Sequence, residues 1–322
     1  MSIKKIIESI KQNNTFLVTS HMNLEGDALG SELAFAGLIR KIGKKAVIVN
    51  EDNTPEPYDF LPGVKKIKKH KHNMDLSFDC MVFLDCSGLH RCGEVYKINT
   101  GNKPTINIDH HISNEKFAGI NWVDPSSSCC CQMIYQLYKK MRIKLDMDIA
   151  TCLYAGILTD TGSFRYTNTS ALTHRIVSEL VGYGLDVSAI YKKIYGSMAF
   201  QDMKLLGRIL PRISCDQGGK IAWAQINKSD LRHKHIGIDL GEHILGFMRL
   251  IRDVEVAVLF KENLKDRHEV RVNLRSQGKA DVNKIASLFG GGGHKTASGC
   301  TIKGDIDKVK AAVLRKIKES IY

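Results

Sequence analysis

The sequence predicts an α/β fold in which a doubly wound parallel-sheet domain precedes a smaller α/β domain. Strands and helices alternate over the first 190 residues, and parallel strands need such helical crossovers. Beyond residue 213 the pattern becomes strand-rich and ends in a helix. Helical periodicity between them, without Gly or Ser enrichment, predicts a semi-rigid helical linker. The predicted parts are residues 1–190, 191–213 and 214–322, with a cleft between the two domains.

Short apolar runs mark the strands of the first domain, at residues 15–19, 46–49, 80–84 and 105–108. Apolar residues recur at helical spacing from 29 to 42, and Gly43 is the expected stop of that helix. The first ten residues form an amphipathic pattern, and further helices are predicted at about 129–141, 147–159, 170–183 and 186–195. The order of elements is that of a doubly wound sheet.

The second domain has fewer and longer strand patterns. We predict strands at 220–226, 254–260 and 269–274, and a terminal amphipathic helix at 305–321.

The basic run at 65–72, in the first domain, is interpreted as a solvated surface.

Composition excludes several classes of protein. A chain of 322 residues has room for two domains with cores of their own. It has no apolar stretch near the roughly 18–20 residues that a membrane span requires, so we expect no membrane association and a cytoplasmic location. Nine cysteines include no Cys-x-x-Cys pair, which favours reduced thiols over a zinc knuckle or a disulfide framework.

The net charge of +13 is concentrated in the C-terminal part. Residues 201–322 hold 23 Lys and Arg against 14 Asp and Glu. Such an excess favours polyanionic ligands through phosphate contacts and counterion release. A basic surface without a specific partner explains the charge equally well.

Three of the predicted strands end in acidic or histidine side chains. The first is followed by His21, Glu25 and Asp27, the third by Asp85, and the fourth by the triplet Asp109-His110-His111. Asp160 follows an apolar helix. Asp124 is left out, because residues 122–125 are predicted to form a turn. Taken alone, Asp27 is explained as a helix cap and the histidines as surface residues. Together they predict a metal site, because the carboxyl ends of parallel strands share one edge.

Carboxylates crowded at one sheet edge would repel one another and rise in pKa. Divalent cations remove that cost, and oxygen ligands with imidazole nitrogen suit Mn²⁺ or a similar ion, with Mg²⁺ and Co²⁺ as alternatives. Two ions about 3.5–4 Å apart would clamp a phosphoryl group and generate hydroxide near neutral pH. The predicted chemistry is hydrolysis of a phosphoester or phosphoanhydride.

A glycine-rich loop at residues 290–293 precedes His294 and Lys295 in the basic domain. Glycine lets backbone amides approach an anion, so the loop is predicted to cradle a phosphate. The spacing is not that of a P-loop, and a flexible surface loop is the alternative. Arg271 and Arg275 alternate with apolar residues on the preceding strand, where a guanidinium can reach the same phosphate.

These motifs resemble the DHH phosphoesterases, and within them the oligoribonucleases that also dephosphorylate 3′-phosphoadenosine-5′-phosphate. The resemblance spans nearly the whole chain. It includes Arg275-Ser276 and the Gly290–Gly293 run with His294, in what resembles a DHH-associated C-terminal domain. It implies two cations, one held by His21, Glu25 and Asp85 and the other by Asp27, Asp85, His110 and Asp160.

The resemblance also implies roles outside the metal ligands. His111 would face the scissile phosphate, with Asp109 orienting its neighbours. The terminal phosphate or base of the substrate would be bound by Arg275, Gly292, Gly293 and His294. Domain closure would complete this active site in the cleft between the two domains. One departure is visible: the family usually has Pro-Asp where this chain has Leu24-Glu25.

The leading hypothesis is a Mn²⁺-dependent exonuclease for short single-stranded RNA that also acts as a nucleotide 3′-phosphatase. A second hypothesis keeps the chemistry but takes linear or cyclic dinucleotides as substrates. A third is a nucleotide-binding regulatory protein with a weakened metal site, and a pyrophosphatase is a weaker alternative. No obligate protein partner is indicated, and a homodimer is compatible with the sequence.

Overall fold

The computed structural model describes residues 2–72, 74–196, 198–216, 218–231, 240–263 and 268–321. They belong to two compact units, Met1–Gly196 and Ser197–Tyr322, and each unit is described by itself. The predicted α/β class is confirmed. No helix in the described part of the chain is long and apolar enough to cross a bilayer.

The first unit is a six-stranded sheet with helices. Its strands are β1 (Thr15–Thr19), β2 (Lys45–Asn50), β3 (Lys68–Lys69), β4 (Cys80–Leu84), β5 (Thr105–Asp109) and β6 (Ile120–Val123). Its helices are α1 (Ser2–Gln12), α2 (Gly26–Lys41), α3 (Cys130–Met141), α4 (Met147–Asp160), α5 (Ala171–Val181) and α6 (Val187–Tyr195). Short 3₁₀ helices occur at Glu56–Tyr58, Val64–Lys66, Leu89–Cys92 and Val95–Ile98.

The first sheet has the strand order β3-β2-β1-β4-β5-β6, and every pair is parallel. Chain order reverses between β1 and β4, which is where ligands bind in open α/β sheets. Both faces are buried: Phe16 and Val18 face a core built with the helices, whereas Leu17 faces a second core on the other side. This two-sided burial explains the nearly continuous apolar strands.

Several element boundaries differ from the prediction. Ile120–Val123 is a strand that pairs with β5, so the predicted turn at 122–125 is wrong in its first half. The turn begins at Asp124, whose carboxylate accepts hydrogen bonds from Ser126 and Ser127. Within the basic run 65–72, residues Lys68–Lys69 form an edge strand with exposed side chains. Helix α2 begins at Gly26, three residues before the predicted start at Leu29, so Asp27 lies in its first turn.

The second unit has a mixed sheet. Its strands are β7 (Ser214–Cys215), β8 (Ile221–Ile226), β9 (Val256–Glu262), β10 (Glu269–Ser276), β11 (Gly292–Gly293) and β12 (Ala297–Lys303). Its helices are α7 (Phe200–Ile209), α8 (Leu240–Arg249), α9 (Val282–Ser287) and α10 (Ile306–Ile321), with 3₁₀ helices at Leu210–Arg212 and Lys228–Leu231. The strand order is β11-β12-β10-β9-β8-β7, and only β8 and β9 pair in parallel among the described strands.

Beside the two-residue strands β7 and β11, three longer elements of the second unit were not predicted from sequence. Strand β12 contains Gly299, which weakens a strand pattern. Helix α8 contains Gly241 and Gly246, which weaken a helical one. The six residues of α9 are too few for periodicity to show. Tertiary packing on both faces of the sheet stabilises all three.

Candidate metal centre

The carboxyl edge of the parallel sheet collects the predicted metal-binding and catalytic side chains of the first unit. Loops after β1 and β4, the end of β5, and helices α2 and α4 supply them. The side chains brought together are His21, Glu25, Asp27, Asp85, Asp109, His110, His111 and Asp160. These side chains meet because the carboxyl ends of parallel strands lie at one edge of the sheet. The role of each residue stays a prediction.

Asp85 is at the centre of the cluster. Its Oδ2 lies 3.4 Å from His21 Nε2, and its Oδ1 lies 3.4 Å from His110 Nε2 and 3.5 Å from His111 Nδ1. The buried Oδ1 atom accepts no hydrogen bond from any described residue. Asp85 also has a φ of 51°, which costs a non-glycine residue about 1–2 kcal/mol. The fold therefore holds a carboxylate oxygen in a buried position without a hydrogen-bond donor.

Asp27 is held by the first turn of another helix. The backbone N–H of Cys130 donates to its Oδ2 at 2.6 Å, and that of Cys131 donates to its Oδ1 at 2.8 Å. These amides belong to the start of α3, where the helix dipole favours an anion. Gly156 on α4 makes room for this arrangement, because a Cβ there would lie 2.3 Å from Cys131 Sγ and 2.9 Å from Asp27 Oδ1.

Glu25 and His21 form the outer side of the cluster. His21 Nε2 lies 3.9 Å from Glu25 Oε1, and the Nδ1 atom of the same ring lies 2.7 Å from Met22 O. Glu25 occupies the N-cap position of α2, but its side chain makes no capping hydrogen bond. Its side chain is 57% exposed, so this longer carboxylate is directed to the cluster from the solvent side.

Asp160 approaches from the last turn of α4. Its Oδ2 lies 3.7 Å from His110 Nε2. Asn168 donates to Asp160 Oδ2 at 3.3 Å and to Asp160 O at 3.1 Å. The same amide donates to Ser128 O at 2.8 Å, which ties the carboxylate to the segment before α3.

Asp109 orients His111. Its Oδ1 lies 2.7 Å from His111 Nδ1, and its Oδ2 accepts a 2.6 Å hydrogen bond from Asn114. A carboxylate can only accept, so Nδ1 of His111 is the donor of the first contact. Nε2 is then the ring nitrogen through which His111 can reach a substrate.

Protons on the His21 and His110 rings compensate the negative charges of the carboxylates in the cluster. Burial opposes charge on His21, but contacts with Asp85 outweigh it and raise its pKa to about 9. The pKa of His110 is raised well above its ordinary value, because Asp160 and Asp85 outweigh its burial. The pKa of Asp85 lies well below its usual range, because His110 and His21 outweigh burial there too. Burial raises the pKa of Asp27 to about 6, with Asp85 adding to the effect.

Three sets of described side chains in this unit lie close enough together to hold a cation, although in one of them His111 Nδ1 already donates to Asp109. In each set the ligand atoms lie within 4.8 Å of one another, and the sets are His21/Glu25/Asp85, Asp27/Asp85/His110 and Asp85/Asp109/His111. Asp85 belongs to all three. Carboxylate and imidazole donors without a thiolate suit divalent ions such as Mn²⁺. Together with the Asp85 oxygen that lacks a donor, this shows that the residues present fit a divalent metal centre.

The second unit gathers the predicted substrate-binding residues at one end of its sheet. Arg275 on β10 pairs with Ala297 on β12, and Ala297 exchanges backbone hydrogen bonds with His294 at 2.7 and 3.2 Å. Gly293 has a φ of 144°, and a Cβ there would lie 2.5 Å from Ala297 O, whereas the nearest such neighbour of Gly292 is 3.7 Å away. Packing therefore requires a glycine at 293, while Gly292 has room beside it. The binding roles of these residues stay a prediction.

Sequence reasoning missed the residues that hold the candidate ligands in place. They are Asn114 beside Asp109, Asn168 beside Asp160, and the backbone of Cys130 and Cys131 beside Asp27. The run of three cysteines is evident in the sequence, but its contacts with Asp27 are made by backbone amides. Every residue type except proline has such an amide, so the cysteines themselves did not indicate this role. Their side chains are buried.

Comparison with known proteins gives the chain a family. Residues 15–157 match the model of the DHH family, N-terminal domain, and residues 218–321 match the DHHA1 domain. The bifunctional oligoribonuclease and PAP phosphatase NrnA of Thermus thermophilus is 31% identical over 94% of this chain and 89% of its own length. The protein of that name from Bacillus subtilis is 28% identical over 92% of each chain.

A solved structure shows the same fold. The exopolyphosphatase-related protein from Bacteroides fragilis superposes with a TM-score of 0.88, at 24% identity, over 99% of this chain and 95% of its own. The two domain models match in the expected order, and the Thermus thermophilus relative is covered over most of its own length. The chain belongs to the DHH family of metal-dependent phosphoesterases.

Proposed function

We propose that the protein is a Mn²⁺-dependent phosphoesterase that hydrolyses short oligoribonucleotides to mononucleotides and removes the 3′-phosphate of 3′-phosphoadenosine-5′-phosphate. The observation that carries the metal chemistry is the position of Asp85, whose Oδ2 lies 3.4 Å from His21 Nε2 and whose Oδ1 lies 3.4 Å from His110 Nε2. The two NrnA relatives, both described as bifunctional oligoribonuclease and PAP phosphatase, support the choice of substrate.

The ligands divide into two groups around Asp85. One ion would be held by His21, Glu25 and Asp85, and the other by Asp27, Asp85, His110 and Asp160. Divalent ions held in these positions would supply the charge that polarises a phosphoryl oxygen and activates a water nucleophile near neutral pH. Mn²⁺ is favoured by the oxygen and nitrogen donors, and Mg²⁺ or Co²⁺ can replace it.

His111 supplies a positioned imidazole beside this centre. Asp109 holds its Nδ1 at 2.7 Å, and Asn114 holds the other oxygen of Asp109. The ring would then face a phosphate oxygen through Nε2 and, when it carries a proton on both nitrogens, would donate a hydrogen bond or a proton to that oxygen. The proposed role of Asp109 is to fix the tautomer and to stabilise the charged ring.

Substrate recognition is assigned to the second unit. Arg275 would bind a terminal phosphate through its guanidinium, which is suited to planar two-point contacts. The backbone at Gly292 and Gly293 would approach the same phosphate or the base, with His294 as a further donor.

The test is a substrate panel with the purified protein in Mn²⁺. We expect mononucleotides from a labelled diribonucleotide and orthophosphate from 3′-phosphoadenosine-5′-phosphate, with an Asp85→Ala protein as the control for contaminating activity. A protein inactive on both compounds would refute the proposal. A kcat/KM that is highest for cyclic di-AMP would instead support the cyclic dinucleotide alternative.

A further inference from the structure

Arg275 is engaged by a carboxylate of its own chain. Its Nε lies 3.3 Å from Glu242 Oε2, and its Nη2 contacts Glu242 Oε1. Its Nη1 donates to Leu274 O at 3.0 Å. Glu242 therefore occupies the Nε/Nη2 edge of the guanidinium in a two-point pair, and this edge is one that a phosphate would use.

The two partners differ in how firmly the fold holds them. Arg275 lies on β10 between β9 and β12, and its side chain is 17% exposed, against 40% for Glu242. Glu242 stands in the first turn of α8. The carboxylate is thus the more exposed partner and has more contact with water than the guanidinium at the sheet.

We propose that Glu242 is an affinity-setting residue that competes with the substrate's terminal phosphate for Arg275. This inference rests on the proposed function, which assigns a phosphate to Arg275. Carboxylate and phosphate carry the same sign of charge and use the same donors, so the Nε/Nη2 edge binds one of them at a time. Glu242 weakens the binding of every ligand that needs this edge.

The competition has a consequence for turnover. A mononucleotide product retains a phosphate, and an unopposed arginine would hold it. The return of Glu242 to Arg275 favours release of that phosphate. Ligands with a hydroxyl in place of the terminal phosphate do not displace Glu242 and are unaffected by it. Glu242 thus reduces the preference for phosphorylated ends.

Glu242→Gln is the informative variant, because it keeps the size of the side chain and removes the charge. Calorimetry with 5′-AMP and metal-free protein is expected to show about two- to fivefold tighter binding, the range of a partly exposed ion pair. Glu319→Gln, on α10, removes the same charge from an acid that pairs with Lys316 and is expected to leave 5′-AMP binding unchanged. Glu242→Ala is a second variant with the same expected direction.

Kinetics give an independent readout. With Glu242→Gln, KM for a 5′-phosphorylated diribonucleotide is expected to fall by a similar factor, while KM for the 5′-hydroxyl diribonucleotide stays constant. In an Arg275→Ala background the Glu242→Gln change is expected to have no effect. Unchanged or weaker binding of 5′-AMP by Glu242→Gln would overturn the inference, since a carboxylate that only orients Arg275 would give that result. Diribonucleotide hydrolysis by the unmodified protein, measured separately, reports on the proposed function.

Discussion

Cys131 donates its backbone N–H to the Oδ1 atom of Asp27 at 2.8 Å, although 104 residues separate the two in the chain. With the neighbouring amide of Cys130, this contact fixes both oxygens of Asp27 at the start of α3. A candidate metal ligand is therefore positioned by a helix terminus that the sequence marks only with three cysteines. The position of the Asp27 carboxylate also depends on the close approach of α4 at Gly156.

Gly156→Ala is expected to disturb the metal centre without unfolding the domain. The added Cβ would lie 2.3 Å from Cys131 Sγ and 2.9 Å from Asp27 Oδ1, so the start of α3 or the carboxylate must move. We expect metal affinity to fall about 10- to 100-fold, as for other changes in residues that support ligands. Titration with Mn²⁺ followed by calorimetry measures this loss.

The matched control is Gly207→Ala on α7, where nothing lies within 4 Å of the added methyl group. Alanine favours a helix over glycine by about 1 kcal/mol, so this variant is expected to keep its metal affinity and gain slightly in stability. Equal affinities in the two variants would contradict the supporting role assigned to Gly156.

Asp85→Ala is expected to abolish nearly all turnover. Asp85 contacts His21 and His110 through different oxygens, so its removal affects both groups of ligands at once. The loss should exceed about 100-fold, the upper range for residues that only support ligands. Metal content of the isolated protein should fall together with kcat. A variant with normal kcat would show that Asp85 is not a ligand shared by the two groups.

The fold and the candidate ligands were readable from sequence because both depend on local patterns. Alternating apolar runs predicted the parallel strands, and the residues directly after those runs had to meet at one edge. The supporting contacts were not readable, since Cys131 meets Asp27 only after α3 packs beside α2. The pair of Glu242 and Arg275 is equally hidden, because it joins a helix weakened by glycines to a strand 33 residues later.

Metal binding is expected to release protons. In the metal-free protein the pKa of His21 is raised to about 9 by Asp85, which outweighs burial, so the imidazole is protonated at neutral pH. A cation needs the neutral ring and displaces that proton. Affinity for Mn²⁺ should therefore rise with pH up to about pH 9. Calorimetry at pH 7 in buffers of different ionisation enthalpy counts the protons released, and a count of zero would contradict the raised pKa.

The raised pKa of His21 also predicts how the stability of the metal-free protein depends on pH. The folded state binds the His21 proton more tightly than the unfolded chain, whose pKa is near 6.5. The resulting contribution to the free energy of unfolding is fully present below pH 6.5 and is lost as pH rises through about 9. A His21→Asn protein should lack this component of the pH dependence of Tm, and an identical dependence in both proteins would argue against it.

His294→Ala is expected to raise KM and leave kcat largely unchanged. The residue lies in the turn before β12, where His294 and Ala297 exchange backbone hydrogen bonds, and its proposed partner is the terminal phosphate or base. Loss of a contact made equally in the bound and transition states changes KM alone. Steady-state kinetics with a diribonucleotide decides the matter, and a fall in kcat of the size expected for Asp85→Ala would assign His294 to the chemical step instead.

Glu25 is expected to bind metal although the family usually has aspartate there. The side chain makes no capping hydrogen bond at the start of α2, and its Oε1 lies 3.9 Å from His21 Nε2, so the longer carboxylate reaches the cluster without a competing contact in the helix. Glu25→Ala should weaken Mn²⁺ binding about 10-fold or more. Glu25→Asp keeps the charge and should stay within a few-fold of the parent in kcat/KM. If the parent were inactive and Glu25→Asp active, the chain would instead be a regulatory protein whose first metal position has been weakened by this one methylene.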